Sequence, residues 1–154
     1  CGYFGDHLRQ CRCTPAQVRR YMGKISGPLL DRMDISINVP RLTYEELNST
    51  MPSEGSERVR ERVQLARQVQ IDRLSPAGIK CNAHMSGSQA REFSQLSAGA
   101  EALVKSSFRQ LKLSARSHDR LLKVSRTIAD LAGSETVEPE HLAEALQYRR
   151  PDPS

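Results

Sequence analysis

Apolar positions along most of this chain recur at helical spacing. The clearest case runs over 114–132, where Leu121, Leu122, Ser125, Ile128, Ala129 and Ala132 share one side of a helix that Gly133 stops. The same spacing predicts a long helix over 57–74, with Val59, Val63, Ala66 and Val69 on its apolar face and Arg58, Glu61, Arg62 and Arg67 elsewhere around it. Ser75-Pro76-Ala77-Gly78 ends that helix, and 79–87 has too little periodicity for anything but an irregular connection. A short helix over 88–96 follows. Ser97 then caps another helix, whose apolar face is Leu103, Val104, Phe108 and Leu111. A last helix begins at Pro139 and turns Leu142, Ala145 and Leu146 inward.

The first forty residues have a different character. Thr14 before Pro15 is a cap followed by a first-turn residue, and Val18, Tyr21 and Met22 continue a helix over 15–22. After the Gly27-Pro28 break, 29–32 reads as one turn, and 34–39 as a strand that Pro40 terminates. Thr43-Tyr44-Glu45-Glu46 is a capping-box pattern opening a short helix to residue 48. The pattern thus divides into an α/β stretch at 1–40, a linker with a short helix at 41–56, a helical domain at 57–150 and a tail at 151–154.

Composition narrows the function. Of 154 residues 38% are hydrophobic and none is Trp, so the core must be built from Leu, Val, Ile and Ala. A net charge of +5 favours polyanionic partners such as nucleic acid or nucleotide phosphates, although many domains carry as much without binding either. No stretch approaches the roughly 20 apolar residues of a membrane span, and the start is no signal peptide, so a soluble intracellular protein is expected. The chain begins at Cys1 without an initiator methionine and reads as part of a longer protein. Of its four cysteines, Cys1, Cys11 and Cys13 crowd the start while Cys81 stands alone. That distribution argues against a disulfide framework and leaves reduced thiols or a metal site open. Cys81 reads as a small buried apolar residue. His84, His118 and His141 are scattered and form no ligand or catalytic set.

Two arginines are candidates for phosphate chemistry. Arg32 leaves the apolar turn Leu29-Leu30-Asp31 just before the strand-like run, and its planar fork can donate two parallel hydrogen bonds to a phosphate. The bland reading is a surface arginine paired with Asp31 or Asp34. Arg116 opens the most strongly patterned helix. It also belongs to a basic stripe in which Lys105, Arg109, Lys112, Arg120 and Lys123 recur at steps of three and four on two consecutive helices. Such a stripe is either solubilising charge or a phosphate-contacting face without sequence preference. No Gly-x-x-x-x-Gly-Lys-Ser/Thr loop occurs, so nothing here cradles a triphosphate and this chain alone should not hydrolyse ATP.

Several separated motifs carry a family likeness. Leu29-Leu30-Asp31-Arg32, with Cys1-Gly2-Tyr3 before it and both Ser114-Ala115-Arg116 and Arg126-Thr127-Ile128-Ala129-Asp130-Leu131-Ala132-Gly133 after it, resembles the C-terminal part of the magnesium-chelatase-like AAA+ ATPases. Within that family it is most similar to the bacterial competence branch, from residue 1 to about residue 150. The resemblance implies a mainly α fold, a helical AAA+ lid preceded by a short remnant of the α/β AAA+ core. It implies a cytoplasmic, ring-forming ATP-dependent motor, a hexamer, that moves along DNA and drives branch migration in natural transformation. ATP and Mg²⁺ would be its cofactors and DNA its partner. Arg32 would then be an arginine finger acting on the neighbouring subunit's ATP, and Arg116 the sensor-2 residue acting within its own subunit. Lys105, Arg109, Lys112, Arg120 and Lys123 remain candidates for DNA contact.

The start also resembles a Cys-Pro-Cys-Gly-Tyr opening, which implies one more cysteine before residue 1 and two Cys-x-Cys pairs able to hold zinc. Cys1, Cys11 and Cys13 would be three of its ligands, with His7 a substitute fourth donor; a metal-free thiol-rich tail is the alternative. Two other functions stay open: the ATPase subunit of a magnesium chelatase, and a non-enzymatic, basic, helical DNA-binding module.

Overall fold

The computed structural model describes residues 1–6, 8–48, 53–111 and 113–149, and it divides into two compact units, Cys1–Ser53 and Glu54–Arg149. The expected linker segment 49–52 and the tail 151–154 lie outside the described residues. No helix among those described is long and apolar enough to cross a membrane.

In the first unit the local signals act as read. Thr14 and Gln17 form a reciprocal capping box at the start of α1 (Pro15–Met22), and Thr43 and Glu46 form another at α3 (Tyr44–Leu47). Between them α2 (Gly27–Leu30) is a single turn. The expected strand over 34–39 does not form. Its backbone is extended but belongs to no ladder, and Ile35, Ile37 and Val39 are exposed. A strand needs a neighbour to satisfy its N–H and C=O groups, and the described residues offer none. No described residue of this unit is buried.

The second unit is a helical domain of five α-helices, among the described residues, around α7 (Ala115–Leu131). α7 packs on α4 (Ser56–Leu74), on α5 (Gly87–Phe93) and on α8 (Pro139–Gln147), while α6 (Ala98–Gln110) packs on α8. Ser114 caps α7, and Gly133 leaves it at a φ of 69°, a left-handed conformation that costs glycine little. Leu121, Leu122, Ser125 and Ala129 are buried as the periodicity demands, whereas Ala132 is exposed past the helix end. One cluster gathers Leu74, Ile79, Met85, Ala90 and Leu122, and a second gathers Val104, Leu121, Leu142 and Ala145. The two loops flanking α6 and α8 are tied by a single parallel bridge, in which Val137 N–H donates to Gln95 O at 2.8 Å and Ser97 N–H to Val137 O at 3.1 Å.

Four expectations in this unit are corrected. Val59, Val63 and Val69 do not form the inner face of α4; they are exposed, and Ala66, Gln70 and Leu74 are buried instead. The segment read as an irregular connection supplies core, since Ile79, Cys81, Asn82 and Met85 are all buried and 82–84 makes a 3₁₀ turn. α5 is capped by Ser86 rather than opened at Ser88, and it ends at Phe93. On α6, Phe108 and Leu111 stay exposed while the small residues Ala100 and Ser107 go inside.

The reason α4 was misread is polar. Its inner face meets a buried ionic network centred on Asp130 of α7. Arg73 donates to both carboxylate oxygens of Asp130, at 2.7 and 2.8 Å, and Asn82 Nδ2 donates to the same group at 2.8 Å. Arg126, only 1% exposed, donates from Nε to Asp130 at 3.0 Å and from its two terminal nitrogens to the carbonyls of Glu135 and Ser134, at 2.7 and 2.5 Å. Burial pulls the Arg126 pKa down from its usual range, the Asp130 charge opposes that, and nearby Arg73 adds to it. Arg73 Nε is buried without a hydrogen-bond partner among the described residues. Asp130 thus holds α4, the 82–84 turn and α7 at one point.

Candidate functional site

Arg32 follows α2 directly. Its N–H bonds to Leu29 O at 3.0 Å, which fixes its backbone to the turn, and the side chain is exposed. Arg116 is exposed in the first turn of α7. That turn contains no acidic residue, and Ser114 Oγ accepts from Ser117 N–H at 3.1 Å. Arg149, beyond α8, donates to Ser117 O at 3.1 Å and to Ser117 Oγ at 2.8 Å. Two guanidinium groups therefore stand at a helix end whose dipole is already positive. The arrangement raises the local potential and favours an anion.

The basic stripe is not one surface. Lys105 and Arg109 line a groove of about 410 Å³ with Arg91, Phe108, His118 and Asp119. Within it Lys105 pairs with Glu101 at 2.8 Å, a contact that lowers the Glu101 pKa, and Arg91 pairs with Asp119 at 2.5 Å. The rings of Phe108 and His118 meet edge to face with centroids 6.0 Å apart. Lys123 instead donates to Ala83 O at 3.3 Å, and Arg120 is half-buried. Lys112 lies outside the described residues.

The three N-terminal cysteines, twelve positions apart at their widest, come together. Their sulfurs all lie within 4.8 Å of one another, so the cluster could hold a metal ion. Cys1 Sγ and Cys11 Sγ are 3.5 Å apart and unbonded, and Cys13 N–H donates to Cys11 Sγ at 3.5 Å. His7 lies outside the described residues. Cys81 is buried as expected. Burial alone would raise its pKa, but hydrogen bonding from Arg67 and from the backbone of His84 and Ala83, with the Arg67 charge, brings it below the usual thiol range.

The sequence reading missed the Asp130 network and the groove residues Arg91, His118 and Asp119. A signal for the first was present: Arg126 shares its helix face with Leu122 and Ala129, and Asp130 stands one turn further on. His141 proves to be a cap, its Nδ1 accepting from Glu138 N–H at 3.0 Å.

The helical second unit is consistent with the C-terminal domain of the magnesium-chelatase-like family. The chain belongs to the magnesium chelatase family: the model of the magnesium chelatase subunit ChlI C-terminal region matches residues 53–149, and that of magnesium chelatase subunit ChlI matches 1–47. Among curated relatives it is 41% identical to the competence protein ComM of Haemophilus influenzae over 96% of its length, and 39% identical to the protein YifB of Escherichia coli over 97%. A Mycobacterium bovis relative, Mb2921c, is 37% identical over 92% of the chain. The chain spans 28% of the length of each of these relatives.

Proposed function

We propose that this chain is the C-terminal portion of a ComM-like AAA+ ATPase, a ring-forming motor that uses ATP and Mg²⁺ to drive DNA branch migration in the bacterial cytoplasm. Arg32 reaches the ATP of the adjacent subunit and stabilises charge developing on its γ-phosphate. Arg116 contacts the phosphates within its own subunit, so that nucleotide state sets the angle of the helical lid. The Walker motifs belong to the remainder of the longer protein, and the chain by itself is inactive and monomeric. What supports this reading most is the first turn of α7, where exposed Arg116 and the braced Arg149 meet a helix N-terminus free of acidic residues.

The test is ATP turnover by the full-length ring, with and without branched DNA. Arg32→Ala should leave nucleotide binding nearly intact and slow hydrolysis about 10³-fold, and Arg116→Ala should weaken the dependence of lid position on nucleotide. Wild-type turnover by Arg32→Ala removes the finger role. A second reading, a chelatase ATPase that drives metal insertion into a tetrapyrrole, draws on the family description itself. Stimulation by tetrapyrrole and not by DNA would select it. A non-enzymatic DNA-binding module would instead show salt-dependent binding through the Lys105 and Arg109 face and no response of ATPase to Arg32→Ala.

A further inference from the structure

We propose that Cys1, Cys11 and Cys13 are ligands of a structural zinc ion that staples the start of the first unit together. A tetrahedral zinc with bonds of about 2.3 Å places its sulfurs about 3.8 Å apart. The observed spacing, 3.5 Å between Cys1 and Cys11 with all three sulfurs inside 4.8 Å, falls at that size. A disulfide would use two of these thiols and strand the third, whereas a metal uses all three. The sulfurs open into a pocket of about 40 Å³ backed by Phe4, Val18, Tyr21 and Met22, room for an ion and one further small donor. The Cys13 N–H directed at Cys11 Sγ is the kind of contact that steadies a metal-bound thiolate.

The donor set selects the metal. Thiolates are soft ligands that favour zinc and reject Mg²⁺, so this site is chemically separate from nucleotide-bound magnesium. Besides the three cysteines the pocket is lined by Gly2, Phe4, Val18, Tyr21 and Met22, a mostly apolar wall without carboxylate or imidazole that suits an ion with a structural task.

That task is needed here. The first unit buries no described residue, and its ties around the cysteine loop are exposed: Asp6 Oδ1 accepts from Leu8 N–H at 2.8 Å, Arg9 stacks on Tyr3, and Arg41 pairs with Asp6 at 3.2 Å. Surface contacts of this kind are worth about 1 kcal/mol or less each. A metal joining residue 1 to residues 11 and 13 fixes the loop directly before Thr14, the cap of α1, and so sets where that helix begins.

The experiment uses the full-length protein, purified without chelator. Elemental analysis should find about one zinc per chain, and X-ray absorption at the zinc edge should count three or four sulfurs. The Cys11→Ser/Cys13→Ser variant should lose at least tenfold of the metal, while Cys81→Ser should keep it. Should the double variant fail to fold, alkylation of the wild type gives the answer independently: bound zinc should protect Cys1, Cys11 and Cys13, and a strong chelator should remove that protection. Absence of zinc, two or fewer sulfurs around it, or metal retained by a folded double variant overturns the proposal. None of these readouts depends on ATPase activity, so the motor assignment and the metal site stand or fall separately.

Discussion

The two units of this chain are ordered by different means. The helical unit, Glu54–Arg149, closes two apolar clusters and a buried ionic network around one central helix. The first unit has capping boxes, a few exposed ion and cation–π pairs, and three converging thiols, with nothing buried among its described residues. Burial supplies cooperative stability, whereas caps fix only the turn they cap. The helical unit has what it needs to persist as a body, while the first unit depends on whatever satisfies its thiols and covers Ile35, Ile37 and Val39.

The contrast is broken most severely at Asp130. Asp130→Ala leaves Arg126 and Arg73 without their shared counter-charge, and the expected loss in urea unfolding of the helical unit is about 3–5 kcal/mol. A loss below about 1 kcal/mol would mean that water reaches the guanidinium groups and that the network is not a buried one.

Next in size are matched apolar truncations in the two units. Leu121→Ala, at a fully buried position, should cost about 2–5 kcal/mol. Ile37→Ala, at a position 66% exposed, should change stability by no more than about 0.5 kcal/mol in the same chain. Equal costs would show that the first unit has a core of its own, contrary to its exposure.

The smallest effect concerns Glu138, which precedes α8. Hydrogen bonds from Thr136, at 2.7 Å, and from Ser97 hold its pKa below the ordinary 4.5. The ionised form is therefore favoured by folding, so its stabilisation is present above that ordinary value and fades as pH falls through the lowered one. The Tm advantage of the wild type over Glu138→Gln should shrink on acidification below pH 4.5. An advantage that grew instead would reverse the sign of this linkage.

Much of the fold was legible because its signals are local. Thr14, Thr43, Ser97 and Ser114 each announce a helix through a side chain that accepts from the backbone two or three residues on, and all four do so. The run from Leu121 to Ala129 was legible because one face is continuously buried. The strand over 34–39 was not, since alternation states what a segment would do beside a partner and says nothing about whether one is present. Nor was the inner face of α4, where Gln70 and Arg73 count as polar in any periodicity and are hidden only because Asp130 and Asn82 meet them. Of the candidate site, the crowding of three cysteines in the first thirteen residues left reduced thiols or a metal site open, and the structure brings their sulfurs within 4.8 Å of one another. Arg32 and Arg116 are both exposed, while the groove lined by Arg91, His118 and Asp119 joins separate helices and left no trace in the sequence.

The bracing of α7 has a mechanical corollary. Arg149 grips its first turn and the Arg126–Asp130–Arg73 cluster anchors its last, so a helix roughly 25 Å long is pinned at both extremities. A pull applied at Arg116 cannot be dissipated by fraying either end. Force on that first turn would reach α4 and α8 through the helix itself, so α7 ties the two ends of the helical unit, Glu54–Arg149, into one mechanical body.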